Sequence, residues 1–338
     1  MKKFYDITRK TNAREYIECL TKEKDNLVIY SPTSIKRLNI ELNGEASIIS
    51  THSITKQVDK INKVIANKRI KSVIAIGGGT ACDIAKYIAY NKKIECICIP
   101  TMLSTNVYST NKVALIIEGY KTTLNAKLPD EIILDTNILK KSTQQNLYGI
   151  ADILSIHTAL CDWKISINNN NEKDNPKVYN LAFNLLSEVK YFIANNNIDV
   201  ITSNTDRLFY YIGQAGHITN LYGTGKPESG SEHIFANELE RVIEIPHGIA
   251  VSIGIILMSL YQNNIDYEII DCIRKLRIFH NVRDYKISEL MLKNILLNLK
   301  PRIDRFSIIN IITNDDKKID EILNEFKKIV GEEFYANN

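Results

Sequence analysis

The chain has no long apolar run, no cluster of like charges and no paired-cysteine motif. No stretch approaches the roughly 18 consecutive apolar residues of a membrane-spanning helix, and no apolar segment follows the Met1-Lys2-Lys3 start. We therefore expect neither a signal peptide nor a transmembrane span. The 43 basic and 39 acidic residues leave a net charge of only +4, and the lysines are scattered. This balance argues against nucleic acid or a membrane surface as a partner.

The cysteines are also unremarkable in their spacing. None of the six forms a CxxC pair, so we expect reduced thiols and a cytoplasmic protein. A hydrophobic content of 44% with 24% charged residues is typical of a soluble globular protein. With 338 residues the chain has room for one large domain or two ordinary ones.

A strand, three glycines and a helix follow one another in residues 72–90. The apolar run Ser72–Ile76 predicts a buried strand, and apolar residues at helical spacing over Ala81–Tyr90 predict a helix. Asp83 is expected in the first turn of that helix, where the helix dipole favours a carboxylate. Such a turn can bring backbone N–H groups up to a phosphate, although an ordinary strand-to-helix turn has the same form. The spacing GGGxxxDxxK, which ends at Lys86, is more specific than the glycines alone.

The first 143 residues alternate strands and helices. Strands are predicted at Asn26–Tyr30, Ala46–Ser50, Ser72–Ile76 and Ile94–Ile99, with helices at Asn12–Glu23, Lys56–Asn67 and Ala81–Tyr90, and an edge strand within Met1–Arg9. This order favours a parallel sheet wrapped by helices, with ligands at the carboxyl ends of its strands. The loop Pro100–Asn111 follows one such end, and its hydroxyl groups could contact a cofactor.

The pattern changes after about residue 143. Val113–Ile117 and Glu131–Leu134 are predicted to form a hairpin through the turn at 118–121, and only helices are predicted beyond it. They are Leu147–Ile167, Pro176–Asn195, Thr205–Tyr222, Gly230–Glu240, His247–Tyr261, Ile265–Leu276 and further helices to Phe334. We therefore expect an α/β domain over residues 1–143 and an all-helical domain over residues 144–338.

Three residues of the helical half could share a metal ion. Asp152 lies early in a helix, and His233 and His247 are each next to a turn. Each alone has a plain interpretation as a polar helix-end or loop residue. Together, one carboxylate and two imidazoles would leave an open position on a divalent ion, as a catalytic site needs. The other histidines are poorer candidates, because His52 lies in the α/β half, His157 is five positions from Asp152 and off its helix face, and His217 and His280 have no motif around them.

Six segments carry a resemblance to a known superfamily. They are GGGTACDIAKYIA at 77–89, PTMLST at 100–105, LPDEIILDT at 128–136, GIADILSIHTALCDW at 149–163, SGSEH at 229–233 and PHG at 246–248. The chain resembles the dehydroquinate synthase-like superfamily, which includes iron-containing (metal-dependent) alcohol dehydrogenases, glycerol dehydrogenases and sn-glycerol-1-phosphate dehydrogenases. The segments at 149–163 and 229–233 are most similar to the last branch.

The resemblance implies an α/β nucleotide-binding domain, an all-α domain, and NAD or NADP with one divalent metal in the cleft between them. Zinc is the expected metal, with iron or nickel as alternatives, and Asp152, His233 and His247 are its expected ligands. The pyrophosphate and the rest of the cofactor would contact Gly77, Gly78, Gly79, Thr80, Ala81, Asp83, Thr101, Ser104 and Thr110. Asn106 and Asn237 would join Asp152 in catalysis. We expect a homo-oligomer that oxidises or reduces a small polyol or polyol phosphate, most simply sn-glycerol 1-phosphate and dihydroxyacetone phosphate.

Two departures from the superfamily pattern leave alternatives open. The dehydrogenases usually carry Asp where this chain has Asn106, which keeps the hydrogen bonding but loses the charge. The acidic residue that normally ends the first core strand is replaced by Ser31-Pro32, which could relax the choice between NAD and NADP. Glycerol dehydrogenase, a cyclase of the dehydroquinate synthase kind that uses NAD transiently, and a nonenzymatic nucleotide-binding subunit are the rival hypotheses.

Overall fold

The computed structural model forms two compact units. It describes residues 3–20, 23, 25–40, 47–48, 69–117, 119–302, 304–312, 315–331 and 334–335. One unit comprises Met1–Asn146 with Thr202–Asn220, and the other comprises Leu147–Ile201 with Leu221–Asn338. Compactness therefore divides the chain at 146/147, and it places residues 202–220, which the sequence pattern groups with the later helices, in the first unit.

A six-stranded parallel sheet forms the centre of the first unit. Its strands are β1 (Thr8–Lys10), β2 (Asn26–Tyr30), β3 (Ser47–Ile48), β4 (Ser72–Gly77), β5 (Glu95–Pro100) and β8 (Glu131–Leu134), in the order β1-β8-β5-β4-β2-β3. Every residue of β4 is buried, as expected for a central strand covered on both faces. The register pairs Ile76 with Tyr30 and Gly77 with Pro100, so the carboxyl ends of β2, β4 and β5 lie side by side. The predicted parallel sheet is thus confirmed.

The predicted hairpin is paired differently. β6 (Lys112–Ile117) pairs antiparallel with β7 (Tyr120–Asn125) in a separate two-stranded sheet. Glu131–Leu134 instead joins the main sheet between β1 and β5. β7 has no hydrophobic sequence signal because most of its residues are polar and none is fully buried. A half-exposed hairpin strand needs no apolar face, so the hydrophobic pattern could not reveal it.

The helices of the first unit surround the sheet and the loop after β5. They are α1 (Ala13–Leu20), α2 (Pro32–Leu38), α3 (Gly79–Lys92), α4 (Thr136–Leu139) and the first part of α5 (Thr143–Leu154), together with most of α9 (Thr205–Tyr222). Helix α9 packs here because Phe209 stacks on Tyr108 with 4.7 Å between ring centroids, and Gly213 leaves room for the ring of Phe4. The predicted helix Lys56–Asn67 lies outside the described residues.

The second unit is helical in the part that the structure describes, as predicted. Its other helices are α6 (Ile156–Asn168), α7 (Pro176–Asn195), α8 (Ile198–Ser203), α10 (Ser231–Val242), α11 (His247–Tyr261), α12 (Tyr267–Lys275), α13 (Glu289–Leu297) and α14 (Asp316–Val330). Helix α11 is buried on nearly every side and forms the centre of this unit. None of the described helices combines the length and apolarity that a membrane crossing needs.

One predicted helix is interrupted. Leu147–Ile167 was expected to be continuous, but α5 ends at Leu154 and α6 begins at Ile156. The Ser155 hydroxyl donates hydrogen bonds to the carbonyls of Asp152 and Glu228. A serine side chain that bonds a carbonyl of the preceding turn competes with the helical hydrogen bonds, which accounts for the break.

Candidate active site

The turn between β4 and α3 is the predicted phosphate site. Gly78 is the N-cap of α3 and offers no side-chain cap, and the first N–H groups of a helix have no intrahelical partner. A Cβ on Gly78 would lie 2.9 Å from Met102 Sδ, and one on Gly79 would lie 3.2 Å from Thr105 Oγ1. The glycines therefore allow the loop after β5 to approach the turn closely. The backbone donors of Gly79, Thr80 and Ala81 are the groups suited to an anion.

Two of the predicted cofactor contacts are committed to bonds within the chain. Thr101 is fully buried, and its hydroxyl is 2.9 Å from the hydroxyl of Ser34. Thr110 is also buried, and its hydroxyl accepts a hydrogen bond of 3.2 Å from the backbone N–H of Lys112. Ser104 remains half-buried in the same loop. These positions show that the loop is held by its own hydroxyl groups, whatever else Thr101 and Thr110 contact.

Asp83 and Lys86 hold the loop and hairpin onto α3. The expectation that Asp83 lies in the first turn was wrong, because the helix begins at Gly79 rather than Ala81. Its buried carboxylate accepts a hydrogen bond from the Ala114 backbone, and burial, opposed by Lys86, raises the pKa of Asp83 to about 6. Lys86 is fully buried and donates to the carbonyls of Val107 and Lys112, both at 2.7 Å. The Asp and Lys of the GGGxxxDxxK spacing therefore also hold the loop after β5 and the β6–β7 hairpin against α3.

The structure brings the three predicted metal ligands together in the second unit. Asp152 lies on α5, His233 on α10 and His247 at the first position of α11. Asp152 Oδ1 is 3.8 Å from His233 Nε2 and 3.5 Å from His247 Nε2. One ligand atom from each residue lies within 4.8 Å of the other two. Residues 81 and 95 positions apart in sequence thus converge on one point, which only the tertiary structure could establish.

The atoms that meet at this point are suited to a cation. The Nδ1 atoms of His233 and His247 contact the carboxylates of Glu232 and Glu240, which can only accept a hydrogen bond when ionised. With Nδ1 as the donor, a neutral imidazole has its lone pair on Nε2, the atom that faces Asp152. Asp152 Oδ1 is buried and has no hydrogen-bond partner among the described residues. Ligands about 2.1 Å from a tetrahedral ion are about 3.4 Å apart. The two contacts of Oδ1 are close to that separation, so the residues fit a divalent metal.

A glutamate lies behind each histidine. Glu232, next to a predicted ligand in sequence, is fully buried. Burial alone would raise the pKa of Glu232, but its bond to His233 and further hydrogen bonds hold it below the ordinary value. Glu240 was missed, although His233, Asn237 and Glu240 stand at i, i+4 and i+7 of one helix face. That spacing was the available signal.

The two predicted catalytic asparagines lie in different units. Asn237 is one turn after His233 on α10, and its Oδ1 is buried without a hydrogen-bond partner in the described part of the chain. Asn106 is half-buried in the loop after β5, where its carbonyl accepts hydrogen bonds from Ser109.

His157 has a local hydrogen-bond partner, since its Nε2 is 2.6 Å from the Asn264 carbonyl oxygen.

Comparison with known proteins shows what this sequence and fold are similar to. Residues 27–142 match the family model described as iron-containing alcohol dehydrogenase. The fold is shared with a probable glycerol dehydrogenase from Sinorhizobium meliloti, at a TM-score of 0.71 and 16% identity over 95% of this chain and 96% of that one. An iron-containing alcohol dehydrogenase from Thermotoga maritima aligns with a TM-score of 0.63 and 16% identity, over 95% and 96% of the two chains. Residues 27–142 are thus similar in sequence to the iron-containing alcohol dehydrogenase family, and nearly the whole chain has the fold of these two solved structures.

Curated relatives are similar over much of their length. Glycerol-1-phosphate dehydrogenase (NAD(P)+) of Pyrococcus furiosus is 27% identical over 71% of this chain and 72% of its own. The protein of the same name from Sulfurisphaera tokodaii is 27% identical over 90% of this chain and 89% of its own. The resemblance inferred from the six sequence segments is thus confirmed.

Proposed function

We propose that this protein is an NAD(P)- and metal-dependent oxidoreductase that interconverts sn-glycerol 1-phosphate and dihydroxyacetone phosphate. The observation that carries the proposal is the convergence of Asp152 Oδ1 with the Nε2 atoms of His233 and His247. The relatives named glycerol-1-phosphate dehydrogenase support the choice of substrate.

Asp152, His233 and His247 would hold the metal, and a carboxylate with two imidazoles suits zinc, with iron or nickel as alternatives. A bound divalent ion would supply a positive charge that polarises the reacting oxygen of the substrate, and the dinucleotide would supply or accept the hydride. No nucleophilic side chain is needed for this reaction.

The chain itself would bind and orient. The backbone N–H groups at the start of α3 would hold the cofactor pyrophosphate. Asn237, with its unpartnered Oδ1 next to His233 on α10, would accept a hydrogen bond from a substrate hydroxyl. Asn106 remains a proposed substrate contact, in which an amide takes the place of the carboxylate usual in the superfamily.

The cofactor choice is proposed to be broad. β2 ends at Tyr30, and the hydroxyl of Ser31 caps α2 by accepting from the Ser34 N–H. A carboxylate at this position would bind the ribose hydroxyls of NAD and repel the 2′-phosphate of NADP. Its absence supports use of both cofactors.

A substrate panel tests the proposal. Dihydroxyacetone phosphate, dihydroxyacetone and short ketones are offered to the metal-loaded protein with NADH and with NADPH, and absorbance at the nicotinamide band follows turnover. We expect dihydroxyacetone phosphate to give the highest kcat/KM. A preference for dihydroxyacetone would instead assign glycerol dehydrogenase, a name that the neighbour from S. meliloti carries. Conversion of a dehydroquinate precursor that requires NAD but causes no net change in NADH would instead assign the cyclase.

The composition supports a proposal on where the protein is located and what it does not bind. The net charge of +4 and the reduced-thiol pattern favour a cytoplasmic protein that binds no nucleic acid. We also propose a homo-oligomer, as the resemblance implies. Size-exclusion chromatography with light scattering would measure the assembly.

A further inference from the structure

Each imidazole of the candidate metal site is held from behind by a carboxylate. The Nε2 atoms of His233 and His247 face Asp152, while their Nδ1 atoms contact Glu232 and Glu240. Both glutamates lie on α10, so a single helix supplies one metal ligand and the partners of two.

Glu232 is fixed in place by contacts on both of its oxygens. It is fully buried, and its Oε1 accepts hydrogen bonds from the Gly230 N–H at 2.6 Å and from His233 Nδ1 at 2.8 Å. Its Oε2 accepts from the Thr158 hydroxyl at 2.8 Å. Because the Gly230 N–H and the Thr158 hydroxyl of α6 hold this carboxylate, the ring of His233 cannot rotate without breaking its bond to a fixed partner.

Glu240 makes the corresponding contact between two helices. It lies near the end of α10, and its Oε1 contacts the Nδ1 of His247, the first residue of α11. Its side chain is 22% exposed, whereas that of Glu232 is fully buried. Both contacts join a carboxylate to an imidazole Nδ1. Replacing Glu240 should disturb the surrounding structure less than replacing Glu232, because Glu240 is partly exposed.

We propose that Glu232 and Glu240 are positioning residues that set the affinity of the site for its metal. Each keeps the proton of its histidine on Nδ1, aims Nε2 at the metal position, and makes the imidazole a stronger electron donor. This inference rests on the proposed metal site. In metal sites of known structure, loss of such an outer partner lowers metal affinity about 10- to 100-fold.

Metal affinity in three variants tests the inference. Glu240→Gln keeps a hydrogen-bond acceptor and removes the charge, and Glu240→Leu removes both. We expect the zinc Kd, measured by competition with a chromogenic chelator, to rise about tenfold for Gln and about a hundredfold for Leu. The zinc Kd of Glu232→Gln should rise at least tenfold. The absorption bands of the cobalt-substituted protein should shift in all three, because the histidine ligands change their donor strength.

Asp135→Asn is the control. Asp135 is a buried carboxylate of the first unit, where it accepts from the backbone N–H groups of Ala13 and Asn137, each at 2.9 Å, whereas α10 and α11 belong to the second unit. Its loss should lower the melting temperature and leave the zinc Kd and the cobalt bands unchanged.

The outcomes separate this inference from the proposed function. If the wild-type protein binds no divalent ion, the metal site itself is refuted. If it binds zinc and the folded Glu240 variants bind equally well, only the positioning role is refuted. Should Glu232→Gln fail to fold, the Glu240 pair decides, because that side chain is partly exposed and its replacement leaves the buried network intact.

Discussion

Lys86 and Asp152 each have a buried polar atom, and the two atoms differ in their hydrogen-bond partners. Lys86 Nζ donates to two carbonyl groups, whereas Asp152 Oδ1 has no hydrogen-bond partner in the described residues. An unpaired buried polar atom costs about 1–3 kcal/mol. We infer that Lys86 stabilises the fold, while Asp152 Oδ1 is kept available for a ligand.

The role of Lys86 predicts a large effect on stability. Lys86→Met would leave the carbonyls of Val107 and Lys112 unpaired and would remove the positive charge near the buried Asp83. We expect the free energy of unfolding in urea to fall by about 3–5 kcal/mol. Lys92→Met, in the exposed last turn of the same helix, should change it by less than about 0.5 kcal/mol. Equal stability of the two variants would contradict the structural role.

At the scale of secondary structure, the packing of α10 on α11 positions both histidines. Gly254 of α11 faces the backbone of Glu232, and a Cβ at Gly254 would lie 2.5 Å from the Glu232 carbonyl oxygen. Because backbone cannot move aside as a flexible side chain can, the close approach of these two helices requires glycine at this position. The spacing of His233 and His247 therefore depends on Gly254.

Gly254→Ala tests this dependence. Overpacking of this kind costs about 1–3 kcal/mol, against a gain of up to about 1 kcal/mol in helix propensity. We expect a lower melting temperature together with weaker zinc binding in the chelator competition. Gly225→Ala is the control, because the Cβ added there would meet no atom closer than 3.6 Å. A Gly254→Ala protein with unchanged zinc affinity would show that the helix spacing does not matter.

Asp266 joins two helices in a pH-dependent way. It is the N-cap of α12, accepting from the Glu268 N–H, and it contacts Lys190 of α7 at 2.6 Å. Burial alone would raise the pKa of Asp266, but the hydrogen bond and charge of Lys190 hold it below 3.8. The ion pair therefore stabilises the fold at pH values above the pKa that Asp266 has in the unfolded chain. This stabilisation is lost as the pH falls through the lower pKa that Asp266 has in the folded protein.

Two substitutions separate the cap from the charge. Asp266→Asn keeps the cap and should match wild type in acid while being less stable near neutral pH. Asp266→Ala should be less stable by about 1 kcal/mol more, because the cap is also lost. Thermal unfolding from pH 3 to pH 7 measures both differences. A constant gap between Asp266→Asn and wild type across this range would refute the assigned ion pair.

At the scale of the whole molecule, one unit presents the carboxyl ends of β2, β4 and β5, and the other presents the Asp152 site. The parallel sheet and most helices could be predicted, because buried strands and long amphipathic helices have strong periodic signals. Helix α7 was bounded correctly, with Asn175 as its cap and Pro176 at its first position.

What could not be predicted depends on contacts distant in sequence. β7 has a polar sequence and is stabilised by β6, and α9 joins the first unit through Phe209 and Gly213. The metal ligands were found as residue types within recognisable segments, but only the fold brings them together. The helical spacing of His233 and Glu240 places Glu240 on the ligand face of α10, but its contact with His247 across the helix junction depends on the fold.

Metal removal and restoration is the most direct test of the account. The purified protein is stripped with a strong chelator, its residual metal is quantified, and NADH-dependent reduction of dihydroxyacetone phosphate is followed as zinc is titrated back. If Asp152, His233 and His247 hold a catalytic metal, the stripped protein is inactive and recovers fully at one ion per chain, whereas Asp152→Ala does not recover. Undiminished activity in protein that contains no metal would contradict this expectation.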